Sequence, residues 1–488
     1  MERRRPLVAR HAERRTLLEA LESDQPELIG VYGRRRVGKT FLVRAVYEAH
    51  LVFELVGIHE ADLSTQLASF SAALEAASKS PAPLAPPPDW QTAFRQLSAF
   101  LERRLEKRDA TPVVFFDEVP WLASRRSGFL QAFEHFWNSW ASRQPRVTVV
   151  LCGSAASWML EHVVSERGGL HNRVTRRIRV EPFTLADTEE LLVTRGLDLG
   201  RAQIVELYMA LGGVPHYLAQ VRRGDSAAQS IDRLCFARDG LLRDEFSTLF
   251  ASLFEQAKRH ESVVRALATR RSGLTRTELL DAAKLDTGGA ASAVLEELEQ
   301  SGFITQIPRF GKKVRDGVYW LADEFSLFSL KWLGGRLRTV AGEGEWMRRQ
   351  GAPAWRAWAG LAFESVCLKH VRQLKRALGI EGVETAEASW ALRPDVRHPD
   401  GAQIDLVIDR ADRCVNLCEM KFSEAEFSID KAYARELEHK RNAFRESTGT
   451  SKTLFLTMVT SHGLRDSPLA RQLIAKTVTV DALFSRSA

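Results

Sequence analysis

At 488 residues the chain is too long for one ordinary core, and several domains are expected. A hydrophobic share of 45% against 27% charged residues excludes a disordered chain, and no apolar run approaches the ~20 residues that span a bilayer. The net charge of +7 suits an anionic partner such as nucleic acid, but over this length it equally suits a merely soluble basic protein.

The five cysteines, Cys152, Cys235, Cys367, Cys414 and Cys418, are odd in number and scattered. That argues against a disulfide framework and fits a reducing cytoplasm, the expected location. Cys414 and Cys418 lack the second Cys/His pair that a zinc site needs. Met1 to Arg5 is basic but no apolar signal core follows it.

The first part of the chain alternates strand-like and helix-like runs, as a parallel sheet with crossover helices does. Leu28-Ile29-Gly30-Val31-Tyr32 reads as a strand, and Phe41 to Val46 continues at helical spacing. Pro81 to Pro88 is a proline-rich surface loop. Val113-Val114-Phe115-Phe116 and Val147 to Leu151 read as two more buried strands.

Between the first strand and helix lies Gly33-Arg34-Arg35-Arg36-Val37-Gly38-Lys39-Thr40. Glycines let such a loop fold tightly and aim its amides at phosphates, and the helix start that follows favours anions. Lys39 is then expected on the β- and γ-phosphates of ATP, and Thr40 on Mg²⁺. The strand ending in Asp117-Glu118 supplies the second element, with Asp117 toward Mg²⁺ and Glu118 polarising the attacking water. The next strand ends at Gly153-Ser154, where Ser154 either touches the γ-phosphate or the water, or is a turn serine. Arg173, Arg176, Arg177 and Arg179 cluster downstream; one of them acts as an arginine finger for a neighbouring domain or subunit, or they form a solvated basic strand edge.

These residues resemble the archaeal-type ATPases, which are AAA+/STAND-related. Tyr32 to Thr40 is similar to that family's phosphate loop, and Phe116-Asp117-Glu118-Val119-Pro120-Trp121-Leu122 to its acidic strand end. Leu170-His171-Asn172-Arg173-Val174-Thr175 looks like its Leu-Tyr-Gly-Arg segment, with Asn172 replacing Gly, which implies that Arg173 is the family's arginine. Leu211 to Leu218 resembles the lid motif beside the nucleotide and so brings in Pro215. Arg10 and Glu13 resemble an Arg-x-x-Glu ahead of the first strand, with His11 where the family often has an acid. Many members end in a domain that looks like a PD-(D/E)xK nuclease.

From about Glu181 the pattern is mainly helical, broken at Gly212-Gly213-Val214-Pro215. Between His260 and Asp323 three short helices precede a hairpin holding Gly311, with helix breaks near Ser272-Gly273 and Thr287-Gly288-Gly289. That order reads as a winged helix-turn-helix. Its third helix, Ala290 to Ser301, carries Glu296, Glu297 and Glu299 and no cation, which speaks against reading a major groove. Its wing is basic, with Arg309, Lys312, Lys313 and Arg315, and either holds a phosphate backbone or is a solvated face of a spacer domain. A Gly-rich link, Gly334 to Gly344, leads to a last α/β domain.

There Gln403 to Ile408 and Cys414 to Lys421 read as two strands around a turn centred on Asp412. A simple hairpin makes Asp405 and Glu419 cross-strand neighbours, and Lys421 shares a face with Glu419. Two facing carboxylates repel unless a divalent cation is shared between them, and Lys421 could then orient a water against a phosphodiester. The alternative is a cross-strand salt bridge on a solvated sheet. The pattern matches the nuclease family's Asp…Glu-x-Lys core, and the resemblance adds Glu364, on the helix Trp358 to Leu368, as a third acid. Pro394-Asp395 is read as a decoy in the approach to the turn His398 to Gly401, and Lys440 as either an assistant or a surface residue.

The expectation is an α/β chain: a P-loop NTPase parallel sheet over 1–180, a helical lid over 181–255 and a winged helix-turn-helix over 256–330. A linker over 331–345 leads to a C-terminal α/β restriction-endonuclease-like domain over 346–488. The expected function is an ATP-hydrolysing regulator coupled to a metal-dependent DNA nuclease domain, with ATP and Mg²⁺ as cofactors and Mg²⁺ or Mn²⁺ at the second site. The alternative is a nucleotide-switched DNA- or protein-binding scaffold whose nuclease-like domain is inactive. DNA is the expected partner, a homo-oligomer is allowed, and no membrane association is expected.

Overall fold

The computed structural model describes residues 6–106, 111–124, 126–164, 170, 172–270, 273–334, 344–394 and 399–486. His171, Ser272, Asp395, His398, Met1 to Arg5 and most of the Gly-rich link (335–343) lie outside the described residues. The chain divides into two units, Met1–Glu181 and Pro182–Ala488.

In the first unit, five strands form one sheet: β1 (Glu27–Tyr32), β2 (Leu51–Val56), β3 (Val113–Asp117), β4 (Thr148–Gly153) and β5 (Arg176–Arg179). Their order is β2-β3-β4-β1-β5 and every pairing is parallel. Strand residues alternate between the faces, so neighbours in sequence enter different cores. Phe116, Val149 and Leu151 pack with Phe94, Phe129 and Phe133 on one side. Phe115, Val150 and Ile29 pack with Leu42, Val43 and Leu17 on the other. Covered on both faces, these strands read as unbroken apolar runs, as the sequence predicts for β1, β3 and β4. β2 escaped that reading because Glu54 interrupts it; Arg44 neutralises that carboxylate at 2.7 Å. The strand ending at Ser154 is thus the fourth in the chain. Pro81 to Pro88 forms neither helix nor strand.

The second unit opens with helices Leu185–Thr194 and Arg201–Leu211. The break that follows is steric. A Cβ on Gly213 would stand 1.9 Å from the carbonyl oxygen of Phe183, whose N–H donates to Gly213 O at 2.6 Å. Next come helices Ala257–Ala268, Arg276–Ala282 and Gly289–Gln300 with three short antiparallel strands, β6 (Leu274–Thr275), β7 (Ile304–Ile307) and β8 (Val318–Leu321), ordered β6-β8-β7. β6 adds to the hairpin a strand that two residues of sequence do not reveal.

Beyond helix Pro353–Lys369 lie β9 (Thr385–Leu392), β10 (Ala402–Arg410), β11 (Cys414–Lys421), β12 (Thr453–Thr460) and β13 (Lys476–Thr479). The sheet order is β13-β12-β11-β10-β9, antiparallel across β9-β10-β11 and parallel across β11-β12-β13. Helix Lys431–Thr448 packs its Ala434, Leu437 and Phe444 against Val407, Val415 and Leu417. All five cysteines are free, and no described helix is long and apolar enough to cross a membrane.

Candidate nucleotide site and carboxylate pair

The loop after β1 turns on Gly33, whose φ is 143°; a Cβ there would stand 2.2 Å from Val180 O, so only glycine fits. Arg36 holds a left-handed φ of 70° that a side chain adopts at a cost of roughly 1–2 kcal/mol. Arg34 is buried, while Arg35 and Arg36 are half-buried. Arg10 ties the loop to the segment ahead of β1. It is nearly buried, pairs with Glu13 at 3.2 Å and donates to Val37 O at 3.0 Å. The sequence resemblance pointed to Arg10 and Glu13 but not to that bond.

Lys39 is buried at the start of helix Lys39–Tyr47, and its Nζ donates to Gly33 O (2.8 Å) and Arg34 O (3.0 Å). The ammonium therefore sits over the loop, where a phosphate would meet it. Thr40 Oγ1 donates to Asp117 Oδ2 at 2.6 Å, and the other Asp117 oxygen accepts from Glu118 N at 2.9 Å. This hydroxyl and carboxylate are an oxygen pair of the kind that suits Mg²⁺. Glu118 has a left-handed backbone, φ 49°, which turns it off the end of β3. Its Oε2 accepts from Ser154 Oγ (2.7 Å) and Ser154 N (3.1 Å). Ser154 is thus neither an idle turn serine nor placed only for a phosphate: it holds the acid.

Of the four downstream arginines, three are engaged inside the first unit. Arg173 donates to Asn138 and lies 3.9 Å from Glu134, Arg176 pairs with Glu19 and Glu27 at 3.2 Å each, and Arg179 meets Glu181 at 3.4 Å. Arg177 is exposed and has no ion pair among the described residues. Pro215 belongs to the second unit, as the first residue of helix Pro215–Leu218.

In the C-terminal sheet the pairs Leu406–Cys418 to Asp409–Val415 fix the β10–β11 register and end one residue short of Asp405 and Glu419. The hairpin spacing predicts this register. Asp405 Oδ2 accepts from Met420 N at 2.8 Å. Glu419 is 1% exposed; its Oε2 meets Lys440 Nζ at 2.8 Å, Tyr433 Oη at 3.4 Å and Lys421 Nζ at 3.7 Å. Its Oε1 is buried without a hydrogen-bond partner. Burial first, and the Asp405 carboxylate second, raise the Glu419 carboxyl to about 7, against the two lysines. Lys440 is therefore no surface residue. Tyr433 was not anticipated, although positions 433, 437 and 440 share a helix face and Leu437 is fully buried.

An orphaned carboxylate oxygen beside a second acid suits a divalent cation. Yet among the described residues no group of three or more His, Cys, Asp or Glu side chains is spaced to hold a metal. Glu364, on helix Pro353–Lys369, is thus not gathered with Asp405 and Glu419 into such a cluster.

Residues 7–221 match the family described as an ATPase domain predominantly from Archaea, a match that runs on through Gly212 to Leu218. The phosphate loop, the acidic strand end and the parallel sheet described above all lie within that match. Over 440 residues, 89% of this chain and 91% of the relative, the sequence is 23% identical to an uncharacterized protein of Methanocaldococcus jannaschii. Among solved structures, a Walker-type ATPase of Pyrococcus abyssi is similar at 21% identity and a TM-score of 0.48, covering 67% of this chain and 97% of that one. The ORC2 protein of Aeropyrum pernix, solved in ADPNP–ADP complexes, is similar at 15% identity and a TM-score of 0.41, covering 68% and 95%.

Proposed function

We propose that this chain couples ATP binding and hydrolysis in its first unit to a metal-dependent, DNA-directed nuclease-like site in its second. One observation carries the reading: each unit holds its own charged centre, Lys39 over the loop carbonyls beside the Thr40–Asp117 and Ser154–Glu118 bonds, and Lys421 and Lys440 on Glu419 beside Asp405. We read the second unit as a helical lid (181–255), a winged helix-turn-helix (256–330) and a PD-(D/E)xK-like domain (346–488).

At the first centre, the loop amides and Lys39 bind the β- and γ-phosphates, and Pro215 belongs to the lid that covers the nucleotide. Thr40 and Asp117 would hold Mg²⁺, which would supply charge neutralisation at the phosphates. Glu118 orients the attacking water while Ser154 fixes its carboxylate, and Arg173 serves a neighbouring copy or domain. At the second centre, Asp405 and Glu419 would hold Mg²⁺ or Mn²⁺, with Glu364 the third acid that the resemblance adds, and Lys421 would orient the water.

The second reading is a nucleotide-switched DNA- or protein-binding scaffold with an inactive nuclease-like domain. The Lys440–Glu419 pair favours it, because an internal ammonium already meets the charge that a metal would neutralise. Incubating the full chain with DNA and Mg²⁺ or Mn²⁺, beside the Asp405→Ala/Glu419→Ala variant, separates the two. Cleavage lost in the variant supports the nuclease. Equal cleavage by both, or none by either, leaves the scaffold.

A further inference from the structure

The hairpin β7–β8 does not stand free. Phe310 N donates to Ser389 O and Ser389 N donates to Pro308 O, each at 2.9 Å, in a parallel bridge between Arg309 and Ser389. The Phe310 ring lies 4.9 Å from that of Phe444 and packs into the core beneath helix Lys431–Thr448. The hairpin loop is thereby tied by one bridge to the edge of the C-terminal sheet, outside β9.

The register makes this consequential. Trp390 pairs with Ile404 and Ala388 with Val407, and the shift between them puts Ser389 opposite Asp405 and Leu406. The β10–β11 pairs end at Leu406–Cys418, one residue short of Asp405 and Glu419. Neighbouring strands therefore carry Arg309, Ser389, Asp405 or Leu406, and Cys418 or Glu419 at one level of the sheet. At ~4.8 Å per strand, Arg309 is about 14 Å from Glu419, or about four nucleotide steps of ~3.4 Å.

The loop's cations are disposed differently. Arg309 is half-buried and acts on Glu278, whose carboxyl lies below its ordinary range mainly through bonds from Thr275. Lys312 and Lys313 are exposed, with no ion pair among the described residues, and Arg315 is 78% exposed, 3.9 Å from Asp316. The acids of the preceding helix are engaged elsewhere: Glu297 meets His260 at 2.6 Å, Glu296 accepts from Gln300 and Glu299 from Gln306 N.

We infer that Lys312, Lys313 and Arg315 are the phosphate clamp of the Asp405–Glu419 site, holding a DNA backbone that continues along the sheet edge to the two carboxylates. The inference rests on the DNA-directed reading above. It makes the hairpin a part of the C-terminal site and gives it positioning without sequence readout, since lysine-phosphate contacts carry none.

The test uses the full chain and a labelled random-sequence duplex, read by anisotropy over a salt series. Lys312→Ala/Lys313→Ala should weaken binding and reduce the slope of log K against log salt by roughly two, one per lost phosphate contact. The charge-matched control Arg222→Ala/Arg223→Ala, two exposed arginines of the same unit, should leave the slope unchanged. In parallel, lysine acetylation read by mass spectrometry should show DNA protecting Lys312, Lys313 and Lys421 together but not Lys476, exposed on β13. Equal losses in both double variants, an unchanged slope, or protection of the hairpin without Lys421 would each overturn the clamp while leaving the DNA-directed reading intact. No binding by the unaltered chain at low salt would remove both.

Discussion

Ser154 spends two donors on one oxygen of Glu118: its hydroxyl at 2.7 Å and its backbone N–H at 3.1 Å, both to Oε2. Two elements that share no sequence proximity, the ends of β3 and β4, are joined by this fork. Because one donor is backbone, Ser154→Ala removes only one of the two bonds.

Substitution should separate holding from acting. Glu118→Gln keeps the shape and removes the charge, so ATP turnover should fall by about 10²–10⁴ while ATP affinity changes little. Ser154→Ala loses the hydroxyl bond but keeps the N–H, so turnover should fall only about tenfold, near 1.4 kcal/mol. Steady-state hydrolysis and equilibrium binding of ATP report the two quantities. A Ser154→Ala chain that turns over normally but binds ATP weakly would mean that Ser154 serves a phosphate instead.

A second expectation concerns His370, which is fully buried. Its Nδ1 donates to Val366 O at 2.7 Å and its Nε2 accepts from Leu185 N at 3.1 Å, at the first turn of helix Leu185–Thr194. That pairing requires neutral imidazole, and burial lowers the ring from 6.5 to about 4. The unfolded chain therefore takes up a proton that the folded chain refuses. Stability should fall as pH drops from 6.5 to about 4, by up to ~3 kcal/mol. Denaturant melts should show a shallower fall for His370→Gln, which is less stable at neutral pH. Identical pH slopes would show that the ring does not govern this window.

How much of this was legible in sequence depended on whether the signal was local. The loop from Gly33 to Thr40 and the strand end at Asp117 declare themselves, because the chemistry needs adjacent residues. The β10–β11 hairpin was also legible, since a polar turn between two apolar runs sets their pairing. What distant elements bring together was not: the Arg10 bond to Val37 and the Ser154 fork on Glu118. Nor was the strand bridge from Arg309 to Ser389, 80 residues on, which joins two segments that sequence reads as separate domains. β2 was hidden for another reason, because one charged residue in six breaks an apolar run that Arg44 repairs in the fold.

The last expectation is on Glu419. Its carboxyl is raised from 4.5 to about 7 by burial and then by Asp405, so the folded chain keeps a proton that the unfolded chain has lost. Stability is thus fully present below pH 4.5, declines toward pH 7 and is level above it. Glu419→Gln should abolish this decline and be the more stable chain at alkaline pH, by up to ~3 kcal/mol. Lys440→Met should act oppositely, since it leaves the buried carboxylate without its 2.8 Å partner. It should destabilise by roughly 3–5 kcal/mol at alkaline pH and by less in acid, where Glu419 is neutral. Mn²⁺ should raise the melting temperature of the unaltered chain above pH 7 and leave Glu419→Gln unmoved, by preferential binding to the folded, ionised pair. Thermal melts over pH with and without Mn²⁺ decide it. A metal shift that survives in Glu419→Gln would show that the ion binds elsewhere, and the pair would then be held by Lys440 alone.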